Sequence, residues 1–368
     1  MDAPQTPDGT AAPSATVAPA PIRTPFPDPP APGAAVEVAP GVLWLRVPLP
    51  NALNHVNIYA LDGGDGWTVV DTGLNSSRTR ALWHDIMTGP LGGRPVHRVV
   101  VTHHHPDHIG LAGWFQSVHG AELVTTRTAW LSARMLSLDV QDTPPAELLD
   151  FWRGAGMDAE IYAARLTERP LNFADILWPM PLGFTRIAEG DRITMGGRDW
   201  IVRIGNGHAP EQATFWSEDG ALVLGADQLL GTISPNLGVY ATEPLADPVG
   251  DWLESCTRLA THATDAQLVL PGHKLPFTGL PARLNQLIDN HHQALARLVP
   301  FLAEPRTAHD CFPLLYRRRI DAGLYGLAMV EALGHLNHLL HLQLVTRTRP
   351  DPQGAWLWQA TAERYPAP

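Results

Sequence analysis

VVVTHHHPDHIG, residues 99–110, sets four histidines and an aspartate within six consecutive positions directly after an apolar run. The run VHRVVVT reads as a strand, and Asp107 and His108 fall on the turn that opens the next helix. His103 and His105 stand two apart at the strand end, so both can point into one crevice once the chain leaves the sheet. Neutral imidazoles with an ionised carboxylate suit a borderline divalent ion such as zinc, and iron or manganese accepts the same set. Two ligands on one loop rarely hold a catalytic metal alone, so further donors are expected at later strand ends, where open α/β sheets place their sites. The sequence supplies three: His208 ends DWIVRIGNGH, Asp227 ends ALVLGAD and His273 ends AQLVLPGH. Glycine within two residues of each lets backbone approach closely.

Outward from this stretch the chain alternates short β-rich segments with helical ones. NHVNIYAL, WTVVDTG and VHRVVVT read as strands, residues 76–87 and LAGWFQSVHG as helices, and AELVTT as the following strand. Residues 127–178 break the rhythm with amphipathic helical pattern, a helical insertion able to roof a pocket. A second strand-rich block spans FTRIAEGDRITMGGRDWIVRIGNGH, ATFWSEDGALVLGAD and AQLVLPGHK. Two such halves facing each other predict an α/β fold of four layers, an αββα sandwich, over residues 41–280. Residues 281–368 read as helices at LPARLNQLIDNHHQALARLVPFL, TAHDCFPLLYRRRI and GLAMVEALGHLNHLLHLQL, then two strand-like pieces, LVTRTR and AWLWQA. That order suggests a small winged-helix module. Residues 1–40, with 11 of the 35 prolines, lack apolar periodicity and are expected to form a disordered arm.

The 368 residues are 45% hydrophobic and 17% charged, the balance of an ordinary globular chain. A formal charge of −11 disfavours nucleic acid as a partner, and the only basic run is Arg317–Arg319, expected to be surface charge at a helix end. Cys256 and Cys311 belong to no CxxC pair and read as small buried hydrophobes. No run of about 18 apolar residues and no secretory signal pattern are present, so the expected address is the cytoplasm, with no membrane partner. The expected partner is a small-molecule substrate, and the oligomeric state stays open.

HxHxDH, together with DTG at 71–73, GH at 207–208, GAD at 225–227 and PGH at 271–273, resembles the metallo-β-lactamase fold superfamily over residues 40–280. The resemblance implies two divalent metal ions. His103, His105 and His208 would surround the first, Asp107, His108 and His273 the second, with Asp227 bridging and Asp71 orienting ligands from outside. Two ions about 3.5–4 Å apart would bring a water between them near a neutral pKa and polarise a carbonyl. Asp107 or Asp227 would then be the catalytic carboxylate that passes the proton to the leaving group. PGHKLPFTGL, DNHHQALARL and EALGHLNHL resemble the winged-helix tail of a hydrolase-like, glyoxalase II-like branch.

The leading expectation is therefore a dinuclear metallo-hydrolase acting on a thioester of hydroxyacylglutathione or acyl-CoA type. A lactone or other ester is the next expectation, followed by a mononuclear iron dioxygenase of sulfur compounds, a nuclease, and a non-enzymatic DNA-binding regulator. An oxygen-reducing di-iron member would carry Glu where His105 stands, and a secreted β-lactamase would replace Asp227 by Cys or Ser. His104, which the motif leaves free, is expected to be exposed or to touch a ligand from outside. His291 and His292, adjacent in a helix and about 100° apart, cannot share an ion. His335, His338 and His341 are expected to edge a packed helix. SPNLGVY, after Asp227, is expected near the metals.

Overall fold

The apolar runs become two sheets in the structure, a computed structural model that describes residues 20–316 and 319–366. The first sheet holds seven strands in chain order: β1 (Val36–Ala39), β2 (Val42–Pro48), β3 (His55–Asp62), β4 (Trp67–Val70), β5 (Val96–Val100), β6 (Glu122–Thr125) and β7 (Thr185–Arg186). β1 to β4 pair antiparallel, whereas β4 to β7 run parallel. Parallel neighbours need crossovers. Here these are α1 (Ser77–Thr88), then α2 (Pro106–Ile109) with α3 (Ala112–His119), and finally the helical insertion. The insertion comprises α4 (Arg127–Leu138), α5 (Ala146–Gly154), α6 (Ala159–Arg165) and α7 (Phe173–Ile176).

The second sheet contains β8 (Arg192–Met195), β9 (Arg198–Gly205), β10 (Gln212–Ser217), β11 (Leu222–Ala226) and β12 (Leu268–Pro271), ordered β12-β11-β10-β9-β8. β11 and β12 are parallel and are joined through α8 (Pro248–Ala260). α8 has no counterpart among the sequence expectations, although the parallel pair demands such a crossover.

Trp44, Tyr59, Val100 and Val124 of the first sheet share a buried cluster with Trp200, Val202, Phe215 and Leu224 of the second. The first sheet's other face carries Trp83 and Ile86 of α1 and Phe115 of α3. Trp216, Val223 and Val269 pack with Trp252 and Cys256 of α8 on the far face of the second sheet. The strand period sends Phe215 and Trp216 to opposite faces. Helices, sheet, sheet and helices therefore stack as the expected four layers.

After β12 come α9 (Leu280–Phe301), α10 (Phe312–Leu315), α11 (Ala322–His341) and the hairpin β13 (Val345–Thr348) to β14 (Leu357–Ala360). The helix expected through TAHDCFPLLYRRRI shrinks to a 3₁₀ turn at His309–Cys311 and the single turn of α10, which ends where Tyr316 turns extended. Arg317 and Arg318 lie outside the described residues, and Arg319 is exposed. Residues 1–19 of the expected arm also lie outside them. The rest of that arm is not loose: Arg23 pairs with Thr278, Phe26 packs against the inter-sheet core and β1 joins β2. Val36 and Val38 alternate, and Gly41 at φ +72 makes the turn into β2, so the boundary expected at residue 40 falls inside a hairpin. Cys256 and Cys311 are free and buried, as expected. No helix among the described residues is long and apolar enough to cross a membrane.

Candidate metal centre

Strand ends deliver the donors. Val101 and Thr102 continue from β5 to His103, and His105 caps α2, whose first turn carries Asp107 and His108. His208 follows β9, Asp227 follows β11 and His273 follows β12. The last residue before Asp227, Ala226, sits at φ +46, a left-handed conformation that costs energy for a residue with a side chain. Gly272 is required between Pro271 and His273: a Cβ there would lie 2.2 Å from Asp227 Oδ1.

Two donor sets result. His105 Nδ1 stands 3.0 Å from His103 Nε2 and 3.0 Å from His208 Nε2. His273 Nε2 lies 3.4 Å from Asp107 Oδ2, and His108 Nε2 lies 3.7 Å from the same oxygen. Asp227 Oδ2 stands between the sets, 3.4 Å from His208 Nε2, 3.6 Å from His108 Nε2 and 3.3 Å from His273 Nε2. The structure thus brings together all seven residues expected to bind metal. His104 stays outside these sets: its Nδ1 is buried without a partner among the described residues and its ring stacks at 6.4 Å on Phe173 of α7.

The outer hydrogen bonds fix which ring nitrogen is free. Thr102 Oγ1 donates to Asp71 Oδ2, so it accepts from His103 Nδ1–H at 3.0 Å. His108 Nδ1 donates to Asp71 Oδ2 at 2.8 Å, His208 Nδ1 to the Asn236 carbonyl at 2.9 Å and His273 Nδ1 to the His55 carbonyl at 2.8 Å. Nε2 is then the inward-facing nitrogen of each of the four, the outer arrangement usual for metal-binding histidines. Asp71, at φ +63 and buried, also accepts from Thr102 N at 2.9 Å, so it touches ligands without joining them. His105 Nδ1 can donate to only one of the two lone pairs facing it. A cation satisfies all three.

Two buried atoms of this cluster, His108 Nε2 and Asp227 Oδ1, have no hydrogen-bond partner among the described residues. Buried polar atoms seldom go unpaired, so these residues fit divalent ions. Burial, reinforced by neighbouring imidazoles, holds His103 and His105 well below the usual histidine value, leaving both neutral near pH 7. For His108 and His273, burial acts downward but the carboxylates outweigh it; His108 is held well above its usual value and His273 is pushed up to about 10. Burial pushes Asp227 upward, yet His273 and His108 hold it well below the ordinary carboxylate range. Protons and cations compete for the same Nε2 lone pairs, so ion binding releases protons and weakens as pH falls.

The remaining histidine expectations resolve away from this centre. His291 is buried against His335 at 3.2 Å, and His292 meets the Tyr365 hydroxyl at 2.9 Å. His338 pairs with Asp247 at 3.0 Å, and His341 approaches the same carboxylate at 3.4 Å. Sequence reasoning missed Thr102 and the His55 carbonyl as outer partners, and placed SPNLGVY near the metals by position alone. Within it, Asn236 acts through its backbone carbonyl, a group every residue possesses and no sequence pattern marks.

An αββα sandwich with histidines and aspartates gathered at its strand ends defines a metallo-hydrolase. The chain belongs to the metallo-beta-lactamase superfamily, whose family model matches residues 52–273; a second model, the metallo-beta-lactamase-like C-terminal domain, matches residues 295–361. It is similar to the "Probable metallo-hydrolase YqjP" of Bacillus subtilis, 28% identical over 83% of this chain and 94% of that one. Among solved structures it resembles a beta-lactamase domain protein from Burkholderia ambifaria, 34% identical, TM-score 0.84, over 92% of this chain and 98% of that one. It also resembles the metallo-beta-lactamase family protein TTHA1429 from Thermus thermophilus, 28% identical, TM-score 0.71, over 88% and 99% of the two chains.

Proposed function

We propose that the chain is a dinuclear metal-dependent hydrolase of thioesters, of hydroxyacylglutathione or acyl-CoA type. One observation carries the dinuclear reading: Asp227 Oδ2 lies within 3.3–3.6 Å of Nε2 atoms from both donor sets. His103, His105 and His208 would hold one ion, and Asp107, His108 and His273 the other, with Asp227 between; zinc suits this donor chemistry best. When bound, the ions would acidify a water and polarise the substrate carbonyl.

The chain's own groups do the rest. Asp227, with 8% of its side chain exposed, orients the water from the buried side. Asp107, at 20%, is the more open carboxylate, and it takes the water's proton and hands it to the departing thiolate. Asp71 and Thr102 keep His108 and His103 from rotating. Phe173 of the insertion stacks on His104, whose ring neighbours His105, and would give the acyl group of a thioester or an ester an apolar contact.

The test is a rate panel on zinc-loaded protein with acyl-glutathione and acyl-CoA thioesters, lactones, cyclic nucleotides and a β-lactam. Thioesters should turn over fastest. Exclusive lactone turnover would move the substrate class, and no hydrolysis of any member would overturn the reading.

A further inference from the structure

The loop between Asp227 and α8 is held from behind by the C-terminal helices. Arg283 of α9, buried, donates to the Leu230 carbonyl at 2.6 Å and the Ile233 carbonyl at 2.7 Å. Val239 N donates to Val330 O of α11 at 3.0 Å, and Leu237 and Val239 are buried beneath that helix. α11 approaches so closely that a Cβ on Gly334 would lie 2.4 Å from Leu237 O. Between these clamps, the Asn236 carboxamide spends both N–H groups on α11, donating to Leu327 O and to Glu331 Oε2, each at 3.0 Å. The backbone carbonyl of this same residue accepts from His208 Nδ1 at 2.9 Å.

We propose that Glu331 and Asn236 are positioning residues for His208, through which the C-terminal helix α11 tunes one of the two ion sites. The inference rests on reading His208 as a metal donor. Rotation of its ring is limited by one carbonyl, and between the two backbone clamps the Asn236 side chain is what anchors the residue that carries it. The other outer partners belong to the sandwich itself: Thr102 behind His103, Asp71 behind His108 and the His55 carbonyl behind His273. Loosening Asn236 therefore acts on the His103–His105–His208 set and leaves the Asp107–His108–His273 set in place. Glu331 is also an expensive way to fill space. Burial pushes its carboxyl up to about 7 with only Asn236 opposing, where an apolar side chain would cost less.

The full chain, stripped of metal and titrated with cobalt(II), tests this. Visible absorption bands report each site, and the band lost in His208→Ala identifies the site in question. Wild type should take up two equivalents. Glu331→Leu should weaken the His208 site by about 10–100-fold, the range for lost outer partners of metal ligands. The other site should stay within about twofold, and melting of the metal-free protein should not fall. Glu331→Gln, which keeps an acceptor for Asn236, should recover most of the affinity. Asn236→Ala keeps the backbone carbonyl but loses its anchor, and should behave like Glu331→Leu. Unchanged affinity in both Glu331→Leu and Asn236→Ala, equal weakening of both sites, or Gln as damaging as Leu overturns the proposal. A wild-type chain that binds no cobalt overturns the metal reading beneath it.

Discussion

Asp71 and Asp227 look alike in sequence, each closing an apolar strand in WTVVDTG and ALVLGAD, yet they do different work. Asp71 spends its oxygens on Thr102 and on the outer nitrogen of His108, while Asp227 turns one oxygen toward three inner nitrogens. Asp71→Ala should therefore leave all donors in place and weaken the Asp107–His108–His273 site by about 10–100-fold, read by chelator competition. Unaltered affinity would deny Asp71 its orienting part. Asp107→Ala should lower turnover by about 10²–10⁴-fold, the usual worth of a positioned acid–base group, with the far-UV spectrum of the wild type. Retained turnover would remove this carboxylate from the mechanism. The donors were legible in the sequence because imidazole and carboxylate side chains carry their chemistry in their type. The Asn236 and His55 carbonyls were not, since position alone distinguishes them.

At the scale of elements, strand ends were legible and the connections less so. DTG, GNGH, GAD and PGH each close a β-rich run, and the structure has Asp71, His208, Asp227 and His273 at the ends of β4, β9, β11 and β12. α8 was legible and was missed: Val249, Trp252, Cys256 and Leu259 recur at helical spacing behind an Asp247 cap and Pro248. The pattern at 307–320 was over-read because apolar residues recur there around Pro313, which permits only a first turn. The α9–α11 contact makes a pH prediction. Burial drives His291 down to about 3 and His335 down to about 4, while unfolded histidines titrate near 6.5. Between these values the unfolded chain binds more protons, so stability present above about pH 6.5 is lost as pH falls toward 4, by up to about 1.4 kcal/mol per pH unit per histidine. Denaturant titrations at pH 7.5 and 5 should show a smaller loss in the His291→Leu/His335→Leu variant than in wild type. Equal losses would contradict the assignment.

For the whole molecule, the break in sequence pattern near residue 280 is not a break in the core. Leu284, Leu287, Leu295 and Leu298 of α9 and Leu336 of α11 are fully buried in one cluster with Trp252 and Val269 of the sandwich. At roughly 1.5–3 kcal/mol per buried leucine, these five side chains rival the whole stability of an ordinary fold, about 5–15 kcal/mol. A chain ending at residue 279 should thus fail to give a cooperative melt. A sharp transition at the wild-type temperature would show instead that the sandwich stands alone. The C-terminal helices also meet the site through Asn236, whose carboxamide donates to α11 and whose carbonyl accepts from His208.

In the proposed enzyme seven side chains would surround two cations. Crystals grown with zinc and measured at the zinc edge test it most directly. Two anomalous peaks are expected on either side of Asp227 Oδ2, one beside His103, His105 and His208 and the other beside Asp107, His108 and His273. A single peak, or zinc bound away from these donors, would contradict the account.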